Sequence, residues 1–170
     1  MAVDSGDFKK ALQLWASGVA VVTSQSEKYG VRGMTVTAFC SVSAEPPQIL
    51  VCLNQSADTG ENIEQNQCFA VNILSDRQQD VSNNFSGGRS QEERFANTPW
   101  HTGTTGVPIL DDSLMSLECK ITEKVRAGTH WILVGEVQEV TCRAGEPLLY
   151  FRSHYRGLAD KLEYTSATSD

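Results

Sequence analysis

Short apolar runs of strand length recur along this chain of 170 residues, and they constrain its fold more than any other feature. Most are rich in β-branched or aromatic residues and are bounded by turn-forming glycine, proline or polar residues. They do not alternate regularly with helical patterns, which argues against a doubly wound parallel sheet. The pattern predicts a mainly β (α+β) domain or a barrel with short flanking helices. The predicted strands lie at residues 19–23, 31–39, 48–54, 68–74, 114–121, 131–142 and 148–151. The run 48–54 is nearly all apolar and predicts a strand buried on both faces, and Gly135 indicates a bulge. Pro46-Pro47 is expected to end the pairing of the second strand.

The sequence predicts helices at three places. The capping-box spacing of Asp58 and Glu61 predicts a helix after the third strand, and that of Ser75 and Gln78 predicts another after the fourth. The chain also begins with an amphipathic helix that Gly18 ends. The apolar positions of this first helix, at helical spacing, are Phe8, Ala11, Leu12 and Trp15.

Residues 86–112 form a long segment rich in glycine, threonine, asparagine and proline. Apolar side chains recur within it, so we predict an excursion that packs on the core and not a linker between domains. Residues 1–160 are therefore expected to form a single domain, with residues 161–170 as a frayed tail. The apolar residues that pin the excursion are Phe95, Trp100, Val107, Ile109 and Leu110.

Composition narrows the expected partners and compartment. The formal net charge of −7 argues against nucleic acid or an anionic membrane surface, because phosphate groups need a basic face. The five cysteines are odd in number and none has C-x-x-C spacing, so neither a disulfide framework nor a thiolate metal site is indicated. No run is long enough to cross a membrane, and the first residues lack a signal-peptide pattern. We expect a cytoplasmic protein.

The sequence lacks the common catalytic motifs. No G-x-G-x-x-G follows a strand, Gly87-Gly88 lacks the ending of a P-loop, and there is no G-x-S-x-G elbow. The histidines His101, His130 and His154 lie far apart in sequence, so no metal site is predicted. Hydrolytic chemistry therefore has no visible nucleophile.

Residues 33–43, Gly-Met-Thr-Val-Thr-Ala-Phe-Cys-Ser-Val-Ser, combine small and hydroxylated side chains. Small side chains let backbone N–H and C=O groups approach a flat ligand, and the hydroxyl groups can donate or accept hydrogen bonds. Such a surface suits a ring edge with alternating donors and acceptors, such as the pyrimidine side of a flavin. The alternative interpretation is a half-buried strand with its hydroxyl groups in water.

Two other places could touch a ligand. Residues 56–60 form the first turn of the predicted second helix, whose free N–H groups could bind a phosphate, although Asp58 opposes this and a plain surface helix explains the pattern equally well. His130 starts a strand, either as a hydrogen-bonded residue at the sheet rim or as a polar group at a pocket mouth. His154 and Tyr155 are either groups that cover an open barrel end or polar groups at a pocket mouth, whereas Arg152 and Arg156 are expected to be solvated charges.

Five segments occur in order along the chain: residues 18–23, residues 33–43 followed by Pro46-Pro47, residues 69–74, residues 128–130, and residues 147–151 followed by Tyr155. In this order and spacing they resemble the short-chain flavin reductases of two-component flavin monooxygenases. The similarity to the reductase components of 4-hydroxyphenylacetate and phenol hydroxylases is the strongest, and it runs from about residue 8 to residue 158.

The resemblance implies an FMN-binding split β-barrel, usually a homodimer. It also implies hydride transfer from NADH, or from NADPH, to FAD or FMN, and supply of free reduced flavin to a separate aromatic-hydroxylating oxygenase. Two alternatives remain open. One is a flavoprotein that keeps its flavin and passes electrons to iron or another acceptor, and the other is a β-barrel binding module without redox activity.

The resemblance also assigns residues by position, with His130 as the candidate catalytic residue. The isoalloxazine edge would be bordered by Thr35, Val36, Thr37, Ala38, Phe39 and Ser41. The ribityl chain and phosphate would lie near Ser56, Ala57, Asp58, Thr59, Gly60, Glu61 and Asn62, with Phe85 and Ser86 near the flavin tail. The nicotinamide nucleotide would be faced by His130, His154, Tyr155, Arg156 and Gly157.

Overall fold

The computed structural model describes residues 3–55, 63 and 65–159. The predicted helix at Asp58–Glu61 and the predicted frayed tail fall outside these residues. The helices with complete bounds are α1 (Ser5–Leu12), α2 (Gln79–Phe85) and α3 (Gln91–Ala96). The strands are β1 (Ser17–Gly18), β2 (Ala20–Ser26), β3 (Gly30–Val36), β4 (Phe39–Ala44), β5 (Pro47–Asn54), β6 (Cys68–Ile73), β7 (Trp100–Thr102), β8 (Pro108–Leu110), β9 (Met115–Ala127), β10 (His130–Cys142), β11 (Leu149–Phe151) and β12 (His154–Arg156).

Seven strands form one antiparallel sheet in the order β3-β2-β6-β9-β10-β5-β4. The edge strands β3 and β4 are separated in sequence only by Thr37 and Ala38, so the sheet must curl until its two edges approach each other. The order shows no pairing between β3 and β4 within the described residues, and the barrel is therefore split at this seam. The structure confirms the predicted mainly β fold with short flanking helices.

The inner face of the curled sheet encloses the main apolar core. Val22, Val51, Phe69 and Leu133 come from four different strands and are almost completely buried there. In β5 the inward-facing residues are buried but the outward-facing residues are only half-buried. The prediction that this strand is buried on both faces was wrong, because a barrel wall has a single inner face.

Gly135 allows β10 to pass close to the core of the barrel. A Cβ atom on this residue would lie 2.7 Å from Cζ of Phe69 and 2.9 Å from Cβ of Cys119. The pairing of β9 with β10 also shifts register between Val134 and Gly135. This confirms the bulge that the sequence indicates at this glycine, and it explains why a side chain does not fit there.

Replacing Gly135 with alanine is expected to lower the free energy of unfolding by about 1–3 kcal/mol, because the added methyl group overpacks the core. Urea denaturation of the two proteins measures this difference. Gly157→Ala is the matched control, since a Cβ at Gly157 meets no atom within 4 Å. Equal stability of the Gly135→Ala variant and the parent protein would contradict the packing described.

A second apolar cluster lies outside the barrel, where α2, α3 and the excursion cover β2. Its members include Val21, Leu74, Phe85, Phe95 and Leu110. The rings of Phe85 and Phe95 meet edge to face with centroids 5.2 Å apart. Phe95 and Leu110, which belong to residues 86–112, thus pack in the same cluster as Val21 of β2.

Glu118 on β9 holds the excursion of residues 86–112 in place by hydrogen bonds. Its carboxylate is buried and accepts hydrogen bonds of 2.6–3.2 Å from the backbone N–H and hydroxyl groups of Thr104 and Thr105. Gly103 leaves room for the carboxylate, because a Cβ there would lie 2.5 Å from Glu118 Oε1. Burial alone would raise the pKa of Glu118, but the four hydrogen bonds outweigh it and hold the pKa below its ordinary value.

The opening helix differs from the prediction in its end and its packing. Asp4 caps it by accepting from the N–H groups of Gly6 and Asp7, and regular α-helix ends at Leu12 instead of continuing towards Gly18. Trp15 is 74% exposed, and no residue of α1 is buried. The apolar positions of this segment therefore do not pack into the core of their own chain.

Two predictions about the 31–54 region were also wrong in detail. The single strand expected over 31–39 divides at Thr37 and Ala38 into β3 and β4. Pro46 and Pro47 do not end the pairing, because Pro47 already pairs with Ala44 at the start of β5. Within the described residues, no helix has the length and apolar character needed to cross a membrane.

Candidate functional site

The link between β3 and β4 crosses the split side of the barrel. The Ala38 carbonyl accepts from the Cys52 N–H group at 3.2 Å, and the Thr37 carbonyl accepts from the Phe39 N–H group at 3.2 Å. The side chains of Thr37 and Ala38 are exposed, whereas Val36 just before them is buried. The link is thus fixed by its carbonyl groups while its small side chains border open space.

An open cleft of about 430 Å³ lies beside this link, between β3, α2 and the last two strands. We call it the α2 cleft. Its volume falls in the range of about 300–1,000 Å³ that is typical of small-molecule sites. The polar side chains that line it belong to Thr35, Thr37, Ser82, Asn83, Ser86, Tyr150, Ser153 and Tyr155.

The hydroxyl group of Tyr155 connects β12 to α2 across the α2 cleft by hydrogen bonds. It donates to Asn83 Oδ1 at 2.9 Å and accepts from Ser82 Oγ at 2.9 Å. Thr35 Oγ1 donates to the Ser82 carbonyl at 2.7 Å, which joins β3 to the same helix. The rings of Tyr150 and Tyr155 meet edge to face at 5.4 Å. These contacts fix three walls of the cleft relative to one another.

The hairpin of β11 and β12 supplies one of these walls, and β12 was missed by the sequence analysis. Phe151 and His154 pair across a two-residue turn made of Arg152 and Ser153, whose φ values are 50° and 60°. Positive φ at both central positions is typical of a type I′ turn, which usually contains glycine or asparagine. Because neither residue is present, the sequence carries no turn signal. The Arg152 N–H group donates to the Gln13 carbonyl at 2.9 Å.

A second cleft, of about 440 Å³, lies on the other side of this hairpin and reaches α1. We call it the α1 cleft. Thr37, Tyr150 and Ser153 line both clefts, so the two form one groove around the β3–β4 link. A ligand longer than a single ring could therefore run from one cleft into the other.

His130 lies at the same end of the barrel but lines neither cleft. It pairs with Asn54 at the end of β5, two residues beyond Cys52, which bonds the Ala38 carbonyl. Gln55 Nε2 donates to the carbonyl groups of Gly128 and His130 at 3.2 and 3.3 Å and steadies the turn. The imidazole is exposed and its Nδ1 lies 3.0 Å from Thr129 Oγ1.

Only some of the site residues predicted from the sequence line the two clefts. Those on the α2 cleft are Thr35, Val36, Thr37, Ser86 and Tyr155, and Ala38 lines the α1 cleft. Phe39 packs against the barrel core, Ser41 is exposed on β4, and His154, Arg156 and Gly157 are exposed at or after β12. The predicted residues Ser56, Ala57, Asp58, Thr59, Gly60, Glu61 and Asn62 lie outside the described residues.

The prediction that Phe85 lies near the flavin tail requires a correction. Its side chain is 1% exposed and packs in the outer cluster, so it cannot touch a ligand in this arrangement. A Cβ on Gly33 would lie 2.7 Å from the Phe85 ring, which shows how closely α2 covers β3. Ser82 and Asn83, the cleft residues on the same helix, were not predicted from the sequence. Their only sequence signal is that they are polar positions beside inward-facing apolar ones.

Comparisons with known proteins fit this geometry. A family model described as "Flavin reductase like domain" matches residues 12–159. The chain is 40% identical over 158 residues to FMN reductase (NADH) RutF of Pseudomonas syringae pv. syringae, covering 92% of this chain and 88% of the relative.

Two solved structures extend the comparison. The styrene monooxygenase flavin reductase SMOB of Pseudomonas putida S12 superposes with a TM-score of 0.83 at 30% identity, covering 92% of this chain and 99% of that one. The NADH:FAD oxidoreductase SgcE6 of Streptomyces globisporus, in complex with NAD and FAD fragments, gives a TM-score of 0.87 at 28% identity, covering 96% and 99%.

Proposed function

Because the chain belongs to the flavin reductase-like domain family, we propose that it is an NADH-dependent flavin reductase that supplies free reduced flavin to a separate oxygenase. The observation that carries this proposal is the groove around the exposed Thr37–Ala38 link, which is lined by hydroxyl and aromatic side chains. Relatives named NADH-dependent FMN reductase, at 40% and 41% identity, support the reaction and both substrates.

The residues of this chain fit a flavin ring at the link. The exposed side chains there are small, so a flat ring can approach the backbone, and the hydroxyl group of Thr37 borders both clefts. A bound flavin accepts a hydride from a stacked reduced nicotinamide ring. The rate of such a transfer depends chiefly on how the two rings are held, so no protein nucleophile or metal is needed.

The contribution of the chain is then to position and enclose the reactants. The hydrogen bonds among Thr35, Ser82, Asn83 and Tyr155 keep the α2 cleft at a fixed width. Phe85 and Phe95 support β3 from behind, where β3 leads into the link. A rigid wall on each side limits the orientations of a bound ring, which is the form of catalysis this reaction requires.

Steady-state NADH oxidation tests the proposal. The purified protein is assayed with NADH or NADPH, in the presence of FMN, of FAD or of neither. We expect turnover with NADH that depends on added flavin, with FMN at least as good as FAD. Turnover at full rate without added flavin would favour a tightly bound flavin, and no turnover with any pair would favour a binding module.

His130→Ala is expected to raise the KM for NADH or to lower kcat by a few-fold, without unfolding the protein. The reason is that His130 is exposed at the barrel end that carries the link, where it can orient the carboxamide of the nicotinamide. Steady-state kinetics measures both parameters, and circular dichroism checks the fold. Unchanged kinetics would remove His130 from the site.

We also propose that the chain forms a homodimer through the outer face of β4, β5, β9 and β10. This face pairs Leu50 with Val134 and Cys52 with Ile132, and all four side chains are only half-buried in the single chain. Val125, opposite Ile132 on β9, is 49% exposed. A contiguous apolar face of this kind is typical of a subunit interface, and a second copy can cover it symmetrically.

Light scattering tests the homodimer. The parent protein is expected to show twice the mass of one chain, and Ile132→Glu is expected to show the mass of one chain. Val140→Glu, at an exposed valine on β10 beyond this face, is the control and should keep the dimer. A monomeric parent protein would contradict the proposed interface.

The partner and the compartment complete the proposal. A flavin reductase of styrene monooxygenase among the structural neighbours supports an oxygenase as the consumer of the reduced flavin. The cysteines Cys40, Cys52, Cys68, Cys119 and Cys142 are all free thiols, which supports a reducing compartment such as the cytoplasm.

A further inference from the structure

We propose that Gln91 and Arg94 of α3 are positioning residues for the flavin, although neither is among the described residues that line the two clefts. They hold both backbone polar groups of Gly33 and thereby fix β3, the strand that leads into the Thr37–Ala38 link. We call this pair of contacts the Gly33 clamp. The inference rests on the proposed function and assigns a part in it to residues that do not touch the flavin.

The contacts of Gly33 are the first argument. Its N–H group donates to Gln91 Oε1 at 2.8 Å, and its carbonyl group accepts from Arg94 Nη1 at 2.8 Å. Both groups point away from β2, because a residue in an antiparallel pair turns both backbone groups either towards its neighbour strand or away from it. Gly33 is buried, so the two groups require partners within the protein. The side chains of α3 therefore take the place that a further strand would occupy beside β3.

The position of Gly33 along β3 is the second argument. Thr35 lies two residues further on, and the backbone groups of alternate residues in a strand point to the same side. The edge of β3 that meets α3 at Gly33 therefore meets the α2 cleft at Thr35, which lines that cleft. A shift of β3 at Gly33 would move this edge relative to a bound ring. A displacement of about 1 Å that begins far from the reacting atoms can lower a rate about 100-fold.

The packing around the clamp is the third argument. A Cβ atom on Gly33 would lie 2.7 Å from Cε1 of Phe85 and 3.3 Å from Cζ of Phe95, so the two rings prevent β3 from moving towards the helices. The hydrogen bonds of the clamp prevent the opposite movement, away from α3. Asn84 Nδ2 also donates to the Arg94 carbonyl at 2.8 Å, which joins α3 to α2. The clamp thus fixes β3 and α2, two walls of the α2 cleft, relative to each other.

Two substitutions of Gln91 test the clamp, because they differ in whether an acceptor for the Gly33 N–H group is kept. Gln91→Met removes the acceptor at similar side-chain length, and Gln91→Glu keeps an oxygen in its place. We expect Gln91→Met to lower kcat/KM for FMN about tenfold, the loss that corresponds to one hydrogen bond. Gln91→Glu is expected to retain the parent value. Arg94→Met removes the other bond of the clamp and should cause a loss of similar size, whereas Arg94→Lys keeps one donor and should cause a smaller loss.

Titration of FMN fluorescence with the protein gives a readout that is independent of turnover. Gln91→Met is expected to bind FMN about tenfold more weakly than the parent, and Gln91→Glu is expected to bind it equally well. Glu92→Met is the matched control, because it places the same side chain at the next, exposed position of α3. Its kinetics and FMN affinity should equal those of the parent. Thermal unfolding followed by circular dichroism establishes which variants are folded at the assay temperature.

The outcomes separate this inference from the proposed function. Parent-like kinetics and FMN affinity in folded Gln91→Met and Arg94→Met would overturn the positioning role, even with lowered thermal stability, and leave the reductase function standing. Equal losses in Gln91→Met and Gln91→Glu would also overturn it, since the acceptor would then not be the cause. Absence of turnover in the parent protein would contradict the reductase function, while the FMN titration would still decide whether the clamp supports flavin binding.

Discussion

Replacing Glu118 with alanine is expected to lower the free energy of unfolding by about 3 kcal/mol or more. The carboxylate accepts four hydrogen bonds from Thr104 and Thr105 in a buried place. Its removal takes away the acceptor of two backbone N–H groups and two hydroxyl groups, and each hydrogen bond to a charged group contributes about 1.5–3 kcal/mol. Urea denaturation measures the difference. Glu27→Ala, at an exposed position in the turn between β2 and β3, should change stability by less than about 0.5 kcal/mol.

The same carboxylate predicts a pH dependence. Because the pKa of Glu118 is lower in the folded chain than its ordinary value, the unfolded chain binds more protons between these two values. The stabilisation is complete above the ordinary pKa and is lost as the pH falls through the folded pKa. The parent protein should therefore lose more stability on acidification than Glu118→Ala does. Parallel curves for the two proteins would contradict the assigned role of Glu118.

Replacing Tyr155 with alanine is expected to lower kcat/KM for flavin-dependent NADH oxidation by about 30- to 100-fold. The change removes the hydrogen bonds to Ser82 and Asn83 and the edge-to-face contact with Tyr150. Together these contacts are worth about 2–3 kcal/mol, and the cleft loses one of its walls. Steady-state kinetics with varied FMN and varied NADH measures the effect.

Tyr155→Phe provides the matched comparison. It keeps the ring but removes the hydroxyl group, so we expect a smaller loss of about tenfold, from about 1–1.5 kcal/mol of hydrogen bonding. Thermal unfolding identifies any variant that fails through instability. Parent-like kinetics in Tyr155→Ala, with the fold intact, would contradict a role of the α2 cleft in NADH oxidation.

Much of the fold could be predicted because it follows from local patterns. Strand-length apolar runs predicted most of the barrel strands, and the Gly135 bulge was confirmed. Burial on both faces of β5 was wrong, because a run such as Ile49–Leu53 looks the same whether its outer face meets protein or solvent. The exposure of the apolar face of α1 was not predicted either, because an apolar pattern does not show what covers it. A periodic apolar stripe at Phe8 and Trp15 indicates that something covers it, but not that its own chain does.

The site was harder to predict because it is assembled from distant segments. Thr37 and Tyr155 could be assigned by family resemblance, and both line the α2 cleft. Ser82 and Asn83 were missed, because their role appears only when α2 packs beside β12. Phe85 was misplaced, since one helix carries both a buried face and a cleft face. The sequence order of these residues does not distinguish the two faces.

Anaerobic reduction of excess flavin tests the central claim most directly. A limiting amount of protein is mixed with a tenfold excess of FMN and with NADH in the absence of oxygen, and the visible absorption of oxidised flavin is followed. We expect all the FMN to be bleached, because each reduced flavin leaves and another enters. Bleaching that stops at one equivalent per chain would indicate a flavin that stays bound, and no bleaching would contradict hydride transfer.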